Sequence, residues 1–474
     1  GIVIMSSEAG SVHVDEAHIV RKGRLGPGEM LTVDTSSGDI LTESDVASRL
    51  AADKPYVRWL QENLVTLDDL VLQARPASGS TTRSVSSRRP MVAPGLSSSD
   101  GDAIPANAGA GASITTTLQA AFGYSREELV VLFRPMWQEG IEAIGSMGDD
   151  TPVAVLSNLP RPLFHYFYQR FAEVTNPPID PLRESQVMTL AQRLGRRTSL
   201  LSRGPEVARL LELHSPVLSN EHVQVIRELR HYLAPGQAED YQAVTLDTTW
   251  PVADGVDGLE AAVKRLCNEA VAVVKAGASL LILSDKGLNA HRTLIPSLLA
   301  TSAVHQRLIQ TGVRNHASLI VETGEARDVH HLAALVGYGA SAVNPWLALQ
   351  TVVNEVRDAG RHAEGVTPER AVENYCKALE KGLLKVMSKM GIATVDSYCG
   401  AQIFDALGLS EEVIERYFPG TAARLGGLSL KDIAADVLVW HQAAFPESGA
   451  KAALDTYGLF KYKRGGEYHT YNPD

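Results

Sequence analysis

Short apolar runs that each end at a polar residue recur from Val153 onward. Segments between them repeat apolar residues at helical spacing. Strands that alternate with helices predict a parallel sheet covered by helices, because parallel neighbours need crossover connections. The pattern therefore predicts an α/β fold with a barrel-like central domain of parallel strands. The runs span residues 153–156, 244–246, 280–283, 318–321 and 341–343.

Polar side chains stand where four of these runs end: Asp247, Asp285, Glu322 and Asn344. In a barrel, residues at the carboxyl ends of strands face the mouth, where active sites lie. Helices that follow strands also use Asp, Ser or Asn as caps, and capping is the more frequent role. An active site and a set of caps both remain open from the pattern alone.

The remaining chain divides by composition. Residues 1–76 are β-rich first, with a hairpin expected over 18–40, and helical later, over 44–50 and 55–64. Residues 77–118 are rich in Ser, Thr, Gly, Ala and Pro and predict a linker, because such a segment buries too little surface to offset its ordering entropy. Residues 119–400 form the central domain, and residues 401–474 predict a mostly helical connector.

Residues 145–184 are the most distinctive stretch. Two loops dense in Gly, Pro, Asp, Thr and Asn flank the short strand expected at 153–156 and an aromatic helix expected at 163–171. Asp180 followed by Pro181 predicts a capped helix start. Stiff polar loops beside a core are typical of a site or an interface rather than of a mobile linker.

Composition narrows the function classes. The chain has 474 residues, 44 basic against 55 acidic, and a net charge of −11, which argues against nucleic acid or an anionic membrane as the main partner. No apolar run is long enough to span a bilayer and no signal-peptide pattern opens the chain, so a cytoplasmic location is expected. The three cysteines stand far apart, which favours reduced, partly buried thiols.

Two motifs could indicate a dinucleotide site or a metal site. The segment 337–342 matches a relaxed dinucleotide fingerprint, but a helical pattern precedes it and a strand follows, so it is interpreted as a helix-to-strand turn. His330 and His331 are adjacent on a predicted helix and point about a hundred degrees apart, which makes joint metal ligation improbable.

Residues 142–157 and 171–184 resemble the central domain of the glutamate synthase large subunit. Segments 21–34, 279–297, 321–344, 385–400 and 464–469 resemble the same family in the same order. The resemblance implies that residues 1–76 are the tail of a class II glutamine amidotransferase domain and that residues 401–474 lead to an FMN barrel. The chain is then a piece of a longer polypeptide, and its opening at Gly1 without an initiator Met agrees with this.

In that family glutamine is hydrolysed, and the ammonia passes through an internal tunnel to 2-oxoglutarate, giving 2-iminoglutarate that FMN reduces. FMN and an iron–sulfur cluster are expected in the parent enzyme and neither in this chain, which carries no catalytic residue and is expected to be inactive alone. A tunnel for unprotonated ammonia needs a dry, stiff wall. The expected lining residues are Met147, Thr175, Asn176, Pro177 and Ile179, with Asp149, Asp150 and Arg183 as braces.

The partners implied by the resemblance are the glutaminase and FMN domains of the same polypeptide, an NAD(P)H-oxidising small subunit and further copies in a homo-oligomer. The electron donor, NADPH, NADH or ferredoxin, is not determined by this sequence. The alternative is that the central domain is only a structural spacer and oligomer contact, with the loops at 145–184 serving interface packing.

Overall fold

The computed structural model describes residues 1–8, 10–75, 111–143, 149–171, 179–199, 201–234, 236–363 and 365–472. The chain forms two compact units, Gly1–Leu64 and Val65–Asp474. Most of the predicted linker lies outside the described residues, as do four of the predicted lining residues: Met147, Thr175, Asn176 and Pro177.

The first unit contains the hairpin and the two helices predicted from the sequence. Strands β1 (Leu31–Val33) and β2 (Ile40–Thr42) pair antiparallel. Gly38 closes the turn between them with a φ of 81°, a conformation that costs glycine little, and its N–H donates to the Asp34 carbonyl. Helices α1 (Glu43–Asp53) and α2 (Tyr56–Asn63) follow.

The second unit contains the other strands and helices. The strands are β3 (Val65–Thr66), β4 (Phe167–Gln169), β5 (Gln192–Leu194), β6 (Leu211–Leu213), β7 (Ala243–Asp247), β8 (Thr249–Pro251), β9 (Leu280–Ser284), β10 (Arg292–Leu294), β11 (Ser318–Glu322), β12 (Ala342–Asn344), β13 (Phe404–Leu409) and β14 (Ala422–Leu428). The helices are α3 (Leu67–Ala74), α4 (Gly111–Ala121), α5 (Arg126–Glu128), α6 (Arg134–Glu139), α7 (Pro181–Val187), α8 (Asn220–Arg227), α9 (Gly258–Lys275), α10 (Ser297–Gln310), α11 (Val329–Gly337), α12 (Trp346–Asp358), α13 (Pro368–Met390), α14 (Val395–Tyr398), α15 (Glu411–Tyr417) and α16 (Leu430–Ala444).

A four-stranded parallel sheet in the order β12-β11-β9-β7 organises this unit. Every residue of β9 and β11 is buried, as expected for parallel strands covered on both faces. Alternate residues of β9 point to opposite faces: Leu281 and Leu283 pack with the large helical core, and Leu280 and Ile282 pack with a second core. The predicted α/β fold of parallel strands and helices is confirmed.

Two predictions within 145–184 are wrong. Residues 153–156 contain a 3₁₀ turn at Ala154–Leu156 rather than a strand, and residues 163–171 form a 3₁₀ turn at Leu163–Tyr166 followed by β4 rather than a helix. Strand β4 owes its conformation to antiparallel pairing with β13, which is distant in sequence.

The structure also differs from the sequence prediction at both ends of the central domain. Helix α4 occupies residues 111–121 and overlaps the end of the predicted linker, and Ala120 and Ala121 at its C-terminal end are buried in the core. The predicted helical connector contains α15 and α16 but also β13 and β14. Among the described residues, no helix combines the length and the apolar character needed to cross a membrane.

Candidate functional site

The carboxyl edge of the parallel sheet brings together the polar residues that the sequence pattern singled out. Asp247 lies opposite Ser284 in the β7–β9 register, and Glu322 lies opposite both Ser284 and Asn344. Asp285 follows β9 directly. Because the strands are parallel and in register, their polar ends form one cluster.

Glu322 is the most buried carboxylate of this cluster, with an exposed fraction of 0%. Its carboxylate pairs with Arg227 and with Lys286 at 2.8 Å, and it accepts a hydrogen bond from the Ser284 hydroxyl. Burial alone would raise the pKa of Glu322, but the Arg227 hydrogen bond and the Lys286 charge outweigh it and lower the pKa. Glu322 is therefore an ionised, internally neutralised group.

Asp285 has the opposite electrostatic environment. It accepts hydrogen bonds from the Gly324 N–H at 3.0 Å and from the Trp346 indole N–H at 2.8 Å. Burial is the largest influence and raises the pKa of Asp285 to about 7, against the lowering effect of its hydrogen bonds. A pKa near neutrality in a cluster of strand-end residues is one mark of a functional site.

The rest of the cluster is engaged in holding the fold. Asn344 donates to the Leu218 carbonyl at 2.8 Å, and Asp247 pairs with Arg292 at 2.8 Å. The cavity between Asp285, Glu322 and Thr323 has no room for a water molecule. The arrangement favours a structural role for the strand ends over substrate binding, which needs an open concave pocket.

The described conduit candidates lie in two loops. Asp149 accepts hydrogen bonds from the Thr151 N–H and hydroxyl at 3.0 and 2.6 Å. The Ile179 N–H donates to the Ser388 carbonyl at 3.2 Å. Arg183 pairs with Asp180 at 2.6 Å, the predicted cap of α7, so it stabilises its own helix start. The roles of Asp149, Ile179 and Arg183 in a conduit stay predictions.

Asp150 joins its loop to the C-terminal residues of the chain. Its carboxylate pairs with His469 at 2.8 Å, and its carbonyl accepts from the Thr470 N–H at 2.9 Å. A second link follows the same path, because Arg161 pairs with Glu467 at 3.0 Å and both side chains are more than nine-tenths buried. These long-range pairs are not predicted from the sequence, because residue spacing does not indicate contacts between positions some 300 residues apart.

A small cleft beside this contact, partly open to solvent, has a cavity volume of about 10 Å³. Arg327 lies in its wall, 1% exposed, paired with Glu128 at 2.8 Å and stacked over the Tyr124 ring. Burial lowers the pKa of His165, another side chain of this wall, well below its usual value. The lining residues are Gly123, Glu128, Leu159, Pro160, Arg161, Pro162, His165, Arg327, Tyr457 and Leu459.

The two histidines weighed as metal ligands have other partners. His330 bonds the Phe164 carbonyl through Nε2 at 2.9 Å, and the His331 ring stacks on the Phe164 ring with centroids 4.2 Å apart. Within the ranges that the structure describes, no group of three or more His, Cys, Asp or Glu is arranged to hold a metal ion. Segment 337–342 runs from the end of α11 to the start of β12, as interpreted from the sequence.

Comparisons with known proteins agree on one family. The model of the glutamate synthase central domain matches residues 117–410, and that of class-II glutamine amidotransferases matches residues 1–59. Relatives include the glutamate synthase [NADPH] large chain of Bacillus subtilis, 40% identical over 471 residues, and the ferredoxin-dependent glutamate synthase 2 of Synechocystis sp., 40% identical over 486 residues. The matches cover 99% and 100% of this chain.

The glutamate synthase [NADH] of Schizosaccharomyces pombe is 38% identical over 475 residues, which is 100% of this chain. The chain spans 28% of the bacterial and cyanobacterial relatives and 21% of the yeast one. The match to the central-domain model covers more than half of the chain. The chain therefore belongs to the glutamate synthase family and contains its central domain.

Proposed function

We propose that this chain is the section of a glutamate synthase that connects the glutaminase and FMN sites and forms one wall of the ammonia conduit between them. The parent reaction converts glutamine and 2-oxoglutarate into two glutamates. The family match along nearly the whole chain supports membership in such an enzyme. The contacts of the loop at 149–151 support the connecting role that we propose for this section.

The observation that carries the proposal is the attachment of this loop by Asp150. Its carboxylate and carbonyl are bound by His469, Thr470 and Tyr471, so the loop and the C-terminal residues are held together. A conduit that keeps ammonia away from bulk water needs such fixed walls, because a loose wall admits water and lets ammonia be protonated. The predicted lining residue Met147 lies three positions before Asp150.

The carboxylates of this loop are also suited to a wall that does not retain ammonium. Asp149 accepts hydrogen bonds from Thr151, and Asp150 accepts from His469 and from the Tyr471 N–H. A carboxylate that already accepts hydrogen bonds binds an ammonium ion more weakly than a carboxylate with no donors. Both residues fit the role of braces behind the lining.

The cysteines of this chain do not fit an iron–sulfur cluster. Cys267 lies in α9, Cys376 in α13 and Cys399 after α14, and all three are free. They lie in different elements, and among the described residues they belong to no group of three or more His, Cys, Asp or Glu that could hold a metal ion, whereas a cluster needs several cysteine ligands together. We therefore assign the iron–sulfur cluster of the parent enzyme to another part of it.

The proposal is tested by Asn176→Ala in the intact enzyme, with glutamine hydrolysis and glutamate formation from 2-oxoglutarate measured together. We expect hydrolysis to continue while glutamate formation falls several-fold, because ammonia escapes before it reaches 2-oxoglutarate. Asn315→Ala, at an exposed position before β11, serves as the matched control and should leave the ratio unchanged.

The spacer alternative gives a different result in the same experiment. If the loops serve only interface packing, substitutions at 147–150 change subunit association or stability while the ratio of the two rates stays constant. Equal loss of both rates in Asn176→Ala, or no loss of either, would contradict the conduit proposal.

A further inference from the structure

His469 is held between two oxygen acceptors near the end of the chain. Its side chain is 6% exposed. Nδ1 lies 2.8 Å from a carboxylate oxygen of Asp150, and Nε2 lies 2.7 Å from the carbonyl oxygen of Gly458. From Phe445 to Asn472 the described chain forms no helix or strand, so its position depends on side-chain contacts of this kind.

The two contacts fix the protonation state of the ring. A neutral imidazole has one N–H and one bare nitrogen, and only the imidazolium has two N–H donors. Neither the Asp150 carboxylate nor the Gly458 carbonyl can donate a hydrogen. Both contacts are therefore hydrogen bonds only while His469 carries its second proton, and deprotonation places a nitrogen lone pair against an oxygen.

The charged groups around the ring favour the same state. Asp149 and Asp150 present carboxylates to it from the neighbouring loop, and the Tyr462 ring packs at its edge with centroids 6.3 Å apart. The hydrogen bond to Gly458 and the interaction with Asp150 raise the pKa of His469 above 6.5, against the lowering effect of burial. The reciprocal hydrogen bond from His469 lowers the pKa of Asp150.

The contact fastens only the last part of the C-terminal segment. Asp150 also accepts hydrogen bonds from the Thr470 N–H and hydroxyl, at 2.9 and 3.0 Å. Residues 459–461 have a separate anchor, because their backbone N–H groups donate to the Glu127 carboxylate at 2.8 to 3.1 Å. Loss of the His469 contact therefore loosens residues 468–472 and leaves residues 459–461 in place.

We propose that His469 is a pH-sensitive latch, whose imidazolium strengthens the attachment of residues 468–472 to the Asp150 loop and whose deprotonation weakens it. The inference does not depend on the proposed conduit, since it concerns a contact within the described chain. If the conduit proposal also holds, the latch regulates how firmly one of its braces is fixed.

The pH window follows from the two pKa shifts. The latched state has the raised pKa of His469, so its stabilisation is complete below 6.5 and is lost as the pH rises through that raised pKa. It also has the lowered pKa of Asp150, so its stabilisation is complete above 3.8 and is lost as the pH falls through that lowered pKa. The latch is strongest between these two ordinary values.

Hydrogen–deuterium exchange of this chain tests the latch, with exchange expressed relative to the unfolded peptide at each pH. We expect protection of the Thr470 and Tyr471 amides to fall as the pH rises above 6.5 and through the raised pKa, by about tenfold for each unit by which the pKa of latched His469 exceeds 6.5. Amides of residues 459–461 should keep their protection. In His469→Gln the amides at 470 and 471 should be weakly protected at every pH, and the exposed control His231→Gln should behave as wild type.

A proton titration of His469 in the wild-type chain by NMR keeps the test independent of how well the variant folds. A pKa above 6.5 with a midpoint that coincides with the loss of protection supports the latch. A pKa at or below 6.5, or protection of residues 470 and 471 that is unchanged over the whole range, overturns it.

Discussion

At the scale of single residues, the buried charge of Arg327 is balanced by specific partners. Arg327 is 1% exposed, pairs with Glu128 and donates to the carbonyls of Phe122 and Gly123. Its guanidinium also stacks on the Tyr124 ring at 4.5 Å. Such a network specifies one arrangement of the turn before α5, because any member removed leaves a buried partner without compensation.

Arg327→Met tests this network at the level of one residue. We expect the free energy of unfolding to fall by about 3–5 kcal/mol, since Glu128 is left buried without its cation. Chemical denaturation of both proteins measures the change. Arg370→Met, which breaks the exposed pair with Glu373, is the matched control and should cost less than about 0.5 kcal/mol. Equal effects of the two substitutions would contradict the assigned role of Arg327.

Asp285 gives a pH-dependent prediction. Its pKa of about 7 in the fold exceeds the ordinary value of 3.8, so the folded state keeps a proton that the unfolded state has lost. Stability contributed by this group therefore decreases as the pH rises from about 4 to about 7. In urea titrations over that pH range, the free energy of unfolding of the wild type should fall relative to that of Asp285→Asn. A difference that is constant with pH would show that Asp285 titrates normally.

At the scale of elements, close helix packing depends on a glycine in α13. A Cβ at Gly382 would overlap the methyl groups of Val329 in α11. Gly382→Ala should therefore destabilise the chain by about 1–3 kcal/mol, although alanine favours helix by about 1 kcal/mol. Adding Val329→Ala should recover part of the loss, a coupling that thermal or chemical unfolding of the single and double variants measures. Additive effects would contradict the packing argument.

The elements that sequence predicted best are those whose signal is local. The strands of the parallel sheet appear as short, continuous apolar runs because both of their faces are buried. The cap at Asp180 was predicted directly from residue type and from the Pro181 that follows it, and it is present. Strand β4 and helix α4 were missed, because the first is formed by pairing with β13 and the second by packing of small side chains.

The candidate site was harder to predict from the sequence than the fold. The strand-end polar residues were found from the pattern, but their neutralisation by Arg227 and Lys286 was not, since the partners come from α8 and from the turn after β9. The conduit residues came from the family resemblance rather than from spacing. The pairs of Asp150 with His469 and of Arg161 with Glu467 join parts of the chain that only folding brings together.

At the scale of the whole molecule, the carboxyl edge of the parallel sheet is not the region to which we assign the function. Its strand ends are filled by ion pairs and hydrogen bonds, with no room for a water molecule beside Asp285. The loop at 149–151 and the C-terminal segment meet instead at the periphery of the second unit. This distribution supports our central claim, that this section of the enzyme forms a fixed path between other sites.

The most direct test of that claim is the escape of ammonia from the intact enzyme carrying Asp150→Ala, measured as free ammonia per glutamate formed from 2-oxoglutarate. Asp358→Ala, at the exposed end of α12, is the control. We expect a several-fold increase in free ammonia for Asp150→Ala, with glutamine hydrolysis retained and no increase for the control. Free ammonia at the wild-type level, with glutamate formation intact, would contradict it.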